Sequence, residues 1–483
     1  MTAMRLSELM RRDVAVDPEI TGVTADSRQV RPGFLFAALP GAKADGVSFI
    51  PAALRAGAAA VLADNHVGAL PAPVVHAADL RRAYALAAAA FWGEQPQICV
   101  AVTGTNGKTS VATFCRQMFT RLGHSAASMG TLGVRAGDDQ LTPPGLTTPD
   151  AADVARLLAK LAGRGVTHLA LEASSHGIDQ RRLDGVRLTA AGFLNLTQDH
   201  LDYHGGMDAY LSAKLRLFEA LLPRAGVAVL NADSDAFGAV AATATLSGHT
   251  IFSVGQEGQG LQLLERTPTA GGQRLAIIAN GRRVDIVLPL VGAFQASNAL
   301  VAAGLCIAAG EGVDAVLAAL EHIEGAPGRL QRVGAGPNGG EAYVDYAHTP
   351  DGLQTVLLSL RPHTRGRLFV VFGAGGDRDR GKRPLMGEIA LRFADVAIIT
   401  DDNPRSEDPA AIRAAILAAS PGAREIGDRR QAIRAAAVLL GEGDVLVVAG
   451  KGHEQGQVIA DVVHPFDDVA ETAAALGLVS AHG

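Results

Sequence analysis

Aromatic residues fill only 4% of the 483 positions, with a single tryptophan. Few large rings are available, so the helices are expected to pack closely on small side chains. Cysteine is almost missing: Cys99, Cys115 and Cys306 are the whole set. Their spacing fits neither a zinc site nor a disulfide framework. Two of them fall in apolar strand or helix patterns, where buried free thiols are expected. A basic excess is also absent: the net charge is −6. That argues against a nucleic-acid-binding face but leaves room for small anions, which need only local positive charge. No apolar run reaches membrane-spanning length, and the first twelve residues lack an apolar signal core and a small-residue cleavage site. A soluble cytoplasmic protein is the expectation.

What is present is aliphatic and small. Hydrophobic residues make up 48% of the chain and glycine numbers 56, enough for several cores. The length suggests about three domains.

The stretch around which the rest is read is Thr103-Gly104-Thr105-Asn106-Gly107-Lys108-Thr109-Ser110. It follows an apolar, β-forming run at residues 98–102 and precedes a helical pattern at 111–119. A strand, a glycine loop and a helix start make an anion site from backbone N–H groups and the helix dipole. Lys108 would reach the β/γ-phosphates and the Thr109 hydroxyl would hold Mg²⁺. The loop is shorter than the strict G-x-x-x-x-G-K-[ST] pattern, with Val102 where the first glycine would fall.

Before it, residues 1–95 read as a small α/β domain with a strand at 34–39 and alanine-rich helices at 50–59 and 79–92. Asp26-Ser27-Arg28 reads equally as a binding segment or a solvated turn. After it, a strand at 166–172 ends in Glu172-Ala173-Ser174-Ser175-His176. A carboxylate at such a strand end, beside a phosphate loop, is well placed for Mg²⁺. A strand at 190–196 leads to Asp199-His200-Leu201-Asp202-Tyr203-His204, where His200 is a second metal candidate or simply a hydrogen-bonded ring. Residues 207–222 read as a helix carrying Lys214. Residues 250–291 are β-rich, with turns at Gly271-Gly272 and Asn280-Gly281, and helices follow at 294–309 and 313–323. Gly325-Ala326-Pro327-Gly328-Arg329 breaks the pattern.

Beyond it one unit repeats, a strand followed by a polar cluster. The clusters are Asp345 to Pro350, Gly375-Gly376-Asp377-Arg378, Asp402-Asn403-Pro404-Arg405 and Gly450-Lys451-Gly452-His453-Glu454. Alternation with helices predicts a doubly wound, mostly parallel sheet, and ligands bind outside the carboxyl ends of such strands.

Together with Thr147-Thr148-Pro149-Asp150, these motifs resemble the Mur ligases, ATP-dependent amide ligases of peptidoglycan synthesis, over essentially the whole chain. The motifs are most similar to those of the member that adds meso-2,6-diaminopimelate to UDP-MurNAc-L-Ala-D-Glu. The resemblance implies an α/β protein of three domains: residues 1–95 for the UDP-sugar, 96–328 a P-loop-type domain for ATP, and 329–483 a Rossmann-like domain for the amino acid. It implies that Ser27 and Ala42-Lys43-Ala44 meet the UDP end, and that Thr147, Thr148, Ser174, Gln180 and Arg182 hold the muramoyl peptide. Asn298, Arg329 and Asp345 would contact the nucleotide. Arg378, Asp402, Asn403, Pro404, Arg405, Gly450 and Glu454 would bind diaminopimelate. Thr109, Glu172 and His200 would hold Mg²⁺, and Lys214, otherwise a lysine on a solvated helix face, would be carboxylated on its amine and bind a second Mg²⁺. A monomer is expected.

The chemistry implied is stepwise. A carboxylate cannot expel oxide at neutral pH, so ATP first converts it to an acyl phosphate, and the amine then attacks. Phosphoryl transfer needs charge neutralisation and in-line positioning, for which Lys108 and Mg²⁺ suffice. A nucleotide-driven switch would share the phosphate loop but leaves the C-terminal arginines and Glu454 without a purpose. A non-catalytic UDP-sugar-binding protein has no use for Lys108, Glu172 and Lys214 together.

Overall fold

The computed structural model describes residues 3–41, 45–269, 271–460 and 462–478, so Ala42-Lys43-Ala44 lies outside the described residues. The chain divides into two compact units, residues 1–262 with 300–316, and residues 263–299 with 317–483.

The first unit begins with a four-stranded parallel sheet in the order Gly22–Thr24, Phe34–Ala37, Ala60–Ala63, Val74–His76. Its strands are short and apolar, as sheets covered on both faces require. Helix Leu80–Trp92 lies on it through Leu80, Tyr84, Ala85, Ala87 and Ala88. The helix ends at the single tryptophan, 37% exposed and edge-on to Phe91 at 5.5 Å. Tyr84 donates its hydroxyl to Asp150 at 2.7 Å. The same carboxylate caps helix Ala151–Gly163 through the Ala152 N–H, so one side chain starts a helix and pins it to its neighbour.

The central sheet runs parallel through Ala126–Gly130, His168–Glu172, Ile98–Thr103, Ala190–Phe193, Val227–Asn231 and Thr250–Gly255. Ile98–Thr103 has later strands on both sides, so its carboxyl end is the point where connections part in opposite directions. That is where such sheets bind ligands. An antiparallel hairpin, Gly133–Ala136 and Asp139–Thr142, extends the edge beside Ala126–Gly130; no apolar run or alternation in the sequence marks it. The helix expected over 207–222 is α-helical only at Met207–Arg216 and then widens into a π-turn, Leu217–Leu221. The strand expected over 190–196 stops at Phe193, because Leu194 and Asn195 turn to pair with the phosphate loop.

The second unit holds the hairpin Gly272–Ala279 and Arg282–Leu288, turning at Asn280-Gly281 with both φ positive, the geometry a two-residue hairpin turn needs. Its six-stranded sheet runs Gln331–Ala335, Glu341–Asp345, Val445–Ala449, Leu368–Phe372, Val396–Ile399, Arg424–Glu425. Only the first strand is antiparallel. Leu368, Val370 and Phe372 face one core, and Phe369 and Val371 the other. That two-residue alternation, with helices on both faces, is the doubly wound layer the sequence pattern predicts. No helix among the described residues is long and apolar enough to cross a membrane.

Candidate active site

The phosphate loop sits at the carboxyl end of Ile98–Thr103. Gly107 has φ 93°, a left-handed conformation that glycine adopts without strain. From it helix Lys108–Arg121 starts with no side-chain cap, so its first N–H groups are available to an anion. Asn195 braces the loop: its amide pairs with the Asn106 peptide as a strand would, at 2.9 and 3.1 Å. Thr105 is tied to Thr197 and to the Tyr210 hydroxyl. Thr103 and Ser110 are buried at the ends of the loop. Nothing in the motif pattern announced Asn195; only its place one strand over, level with the loop, marks it.

Two lysines converge on this loop. Lys108 donates to the carbonyls of Gly104 and Thr105, both at 2.8 Å. Lys214, fully buried, donates to the same Gly104 carbonyl at 2.8 Å and lies over the Tyr210 ring. Burial first, and the Lys108 charge second, hold the Lys214 amine well below its ordinary value, with Asp199 opposing.

Glu172 ends its strand buried, and its carboxylate accepts from the Thr109 hydroxyl at 3.0 Å and the Thr131 N–H at 2.9 Å. A Cβ at Gly130 would overlap Glu172 Oε1, so glycine there makes room for the carboxylate. Thr131 also meets the Thr147 hydroxyl at 2.9 Å. Thr148 bonds to the Glu172 carbonyl and to the Ser174 hydroxyl, both at 3.0 Å. Arg182 reaches the Thr148 carbonyl and Gln180 Oε1, and Gln180 donates to the Tyr203 hydroxyl. The structure therefore brings Thr109, Glu172, Thr147, Thr148, Ser174, Gln180 and Arg182 into one connected network. His200, half-exposed with φ 52°, faces Asp199 at 3.4 Å and lies edge-on to His176. Ser27 opens a short turn that Asp26 caps, and the Arg28 guanidinium folds back on Asp26 at 2.9 and 2.8 Å.

In the second unit, Asp345 accepts from the Leu330 and Ala347 N–H groups at 2.6 and 2.7 Å. Burial raises its carboxyl to about 6 against those bonds and the Arg329 charge. Arg329 stacks on the Tyr346 ring. Asn298 bonds to Gln295, whose amide donates to the Arg329 carbonyl, so Asn298, Arg329 and Asp345 form one group.

Farther along the same sheet edge, Lys451 is fully buried. It donates to Asn403 Oδ1 at 2.9 Å and to Glu454 at 3.2 Å, with Asp402 at 3.6 Å. Asn403 in turn donates to Glu454 at 2.9 Å. Asp402 Oδ1 is buried with no hydrogen-bond partner among the described residues. Gly450 places its backbone against Asp402, where a Cβ would meet Oδ2 at 3.0 Å. Arg405, at φ 53°, gives one nitrogen to the Gly376 carbonyl at 2.7 Å. It makes no ion pair with Glu407, which Arg383 and Arg380 occupy. Arg378 follows in the glycine loop, beside Gly375, and a Cβ at Gly376 would overlap the Pro404 carbonyl. The motif pattern gives Lys451 no role, because a lysine in a polar loop looks solvated until its burial is seen.

Three family models match the chain: "Mur ligase family, catalytic domain" at residues 19–92, "Mur ligase middle domain" at 102–306, and "Mur ligase, glutamate ligase domain" at 328–452. A protein of Caulobacter vibrioides named UDP-N-acetylmuramoyl-L-alanyl-D-glutamate–2,6-diaminopimelate ligase is 70% identical over 99% of both chains. One of the same name from Bradyrhizobium diazoefficiens is 52% identical over 98% of this chain and 99% of its own. A solved structure of that ligase aligns with TM-score 0.76 at 34% identity, covering 99% of each chain. A folylpolyglutamate synthase of Mycobacterium tuberculosis shares the fold at TM-score 0.63 and 20% identity, over 83% of this chain and 95% of its own.

Proposed function

Because the chain belongs to the Mur ligase family, we infer that it is an ATP-dependent amide ligase joining meso-2,6-diaminopimelate to UDP-MurNAc-L-Ala-D-Glu in peptidoglycan synthesis. The observation that carries the site assignment is the uncapped helix start at Gly107-Lys108, set at the parting point of the central sheet beside the buried Thr109–Glu172 pair. ATP enters as a substrate. The loop from Thr103 to Ser110 binds its phosphates, and Lys108 swings from the Gly104 and Thr105 carbonyls to the transferring phosphoryl group. A hydroxyl and a carboxylate 3.0 Å apart are the hard oxygen donors that suit Mg²⁺. Thr109, Glu172 and His200 would hold it, and when bound it supplies charge neutralisation at the phosphates.

Lys214 takes part as an anion. Its amine, whose charged form is disfavoured by burial and then by the Lys108 charge, can add to CO₂ when unprotonated. A new N–C bond forms, a proton leaves, and the resulting carbamate would be an oxygen donor to a second Mg²⁺ in place of an ammonium facing Lys108.

The other assignments follow the residue groups. Residues 1–95 take the UDP-sugar, through Ser27 among others. Residues 96–328 take ATP and the muramoyl peptide, the latter on Thr147, Thr148, Ser174, Gln180 and Arg182. Residues 329–483 take the amino acid, and Asn298, Arg329 and Asp345 serve the nucleotide. Arg405, Arg378 and Asn403 meet the distal end of diaminopimelate, with Asp402, Pro404 and Gly450 shaping the pocket and Glu454 taking the distal ammonium. The enzyme acts as a monomer in the cytoplasm, where both nucleotide substrates are made.

The test is a panel of amino acids with ATP and UDP-MurNAc-L-Ala-D-Glu, read as phosphate release. Release is expected only when the dipeptide precursor and diaminopimelate are both present. Equal turnover with L-lysine overturns the reading of the amino-acid pocket.

A further inference from the structure

At the amino end of the central sheet, opposite the phosphate loop, three side chains from distant parts of the first unit meet. His168 is the first residue of strand His168–Glu172, about 13 Å along the strand from Glu172. His124 follows the end of helix Lys108–Arg121, and Glu311 follows the end of helix Ala293–Ala308. Both helix ends close alike. A left-handed glycine, Gly123 or Gly310, is followed by a residue whose N–H returns to a carbonyl five positions back: His124 to Phe119, and Glu311 to Cys306. This double closure fixes the backbone at both residues, and the strand fixes the third.

The side chains converge on one point. Glu311 Oε1 lies 2.7 Å from His124 Nε2 and 3.9 Å from His168 Nε2. The two imidazoles stack with centroids 3.9 Å apart, over the Phe119 ring. One ligand atom from each of the three lies within 4.8 Å of the others. The His168 ring is held from behind, its Nδ1 2.9 Å from the Thr167 hydroxyl, which itself lies 3.2 Å from the Ser125 carbonyl. In the tautomer with the proton on Nδ1, the Nε2 lone pair can bind a cation on the carboxylate side. An outer hydrogen bond at Nδ1 is the arrangement that metal-ligating histidines use.

We propose that His124, His168 and Glu311 form a site for a transition-metal dication of the zinc class, clamping two helix ends to the base of the central sheet. Two imidazoles and one carboxylate are a borderline donor set, suited to zinc rather than to magnesium. Tetrahedral zinc separates its ligand atoms by about 3.4 Å, between the shortest and longest separations here, so side-chain rotation alone can close the set. His124, 32% exposed, leaves a flank open for water as the fourth ligand.

The test uses the tag-free full chain, stripped with chelator and kept in millimolar Mg²⁺ so that oxygen-donor sites are filled. Zn²⁺ is followed by equilibrium dialysis, and Co²⁺ by its tetrahedral absorption. One ion per chain is expected, with a melting midpoint that rises with free Zn²⁺. His124→Ala and Glu311→Gln should each weaken binding by at least about 10²-fold, the upper end of what losing even an outer-shell partner costs, while ligase turnover in Mg²⁺ stays at the wild-type value. His124 is partly exposed, so its variant keeps the measurement meaningful if a change at buried His168 unfolds the chain. No stoichiometric binding by the wild type, or wild-type affinity in both variants, overturns the proposal.

Discussion

Lys214 and Lys108 share one carbonyl acceptor, and two ammonium groups cannot share it without cost. Burial first, and the Lys108 charge second, weigh against the charged form of Lys214. A ¹³C-bicarbonate label should therefore give a carbamate resonance in the wild type that Lys214→Ala lacks, and short-chain carboxylates should restore part of that variant's turnover. A fully active Lys214→Ala without added carboxylate counts against the role. For Lys108→Ala, phosphate release should fall by roughly 10²–10³ in kcat, the loss typical of one electrostatic stabiliser, with the circular dichroism unchanged. Arg405 commits one nitrogen to the Gly376 carbonyl and leaves the rest of its planar fork for a carboxylate. Wild-type kcat/KM for diaminopimelate over L-lysine should reach about 10⁴–10⁵, and Arg405→Ala should erase most of that ratio; an unchanged ratio would assign selectivity elsewhere. Lys214, on helix Met207–Arg216, was marked only by the family resemblance, whereas Lys108 and Arg405 were legible because each stands in a polar cluster where an apolar strand ends. Asn195 and Thr131 were not, since their partners lie 89 and 41 positions away. A single sequence carries no trace of which backbone a side chain will meet at such a distance.

Strands were read more surely than the loops that join them. The alternating and continuous apolar runs of the six-stranded sheet announce its layers, because a buried strand has no other composition available. Hairpin Gly133–Ala136 and Asp139–Thr142 escaped because it is an edge: its strands are four residues each, mostly only partly buried and mixed in polarity, so its pattern is that of a loop. The π-turn after Arg216 has no compositional signal at all. A strand end and a loop near the site carry glycines with no space for a side chain. At Gly130 a methyl group would displace the Glu172 carboxylate. Gly130→Ala should therefore raise the Mg²⁺ concentration needed for half-maximal turnover, as read from a Mg²⁺ titration at saturating ATP. At Gly376 a methyl group would push on the Pro404 carbonyl and shift the loop that carries Arg405. Its alanine variant should raise KM for diaminopimelate while KM for ATP stays put.

Acid behaviour follows from groups with opposite signs. Burial lifts Asp345 to about 6 in the folded state, against about 3.9 in an unfolded chain. Between those values the native state holds the extra proton, so this group's contribution to stability is complete below about 4 and declines as pH rises towards 6. Asp26, held down at about 2 by the Arg28 fork, works the other way and below that window: its contribution is lost as pH falls from about 4 to 2. Melting midpoints of wild type and Asp345→Asn should accordingly differ in slope between about pH 4 and 6 and run parallel above it; equal slopes throughout would show that Asp345 ionises normally. The scarcity of large rings has an optical consequence. Trp92 is the single indole, and it stands at the end of the helix that covers the four-stranded sheet, while the six-stranded sheet has only the tyrosines Tyr343 and Tyr346 beside it. Emission excited at the red edge of the spectrum thus reports on the first unit and is blind to the second. Each unit has its own apolar core, so denaturation followed by that emission should part from the curve followed by far-ultraviolet dichroism. The gap between the two would separate the units' unfolding transitions without any label having been added.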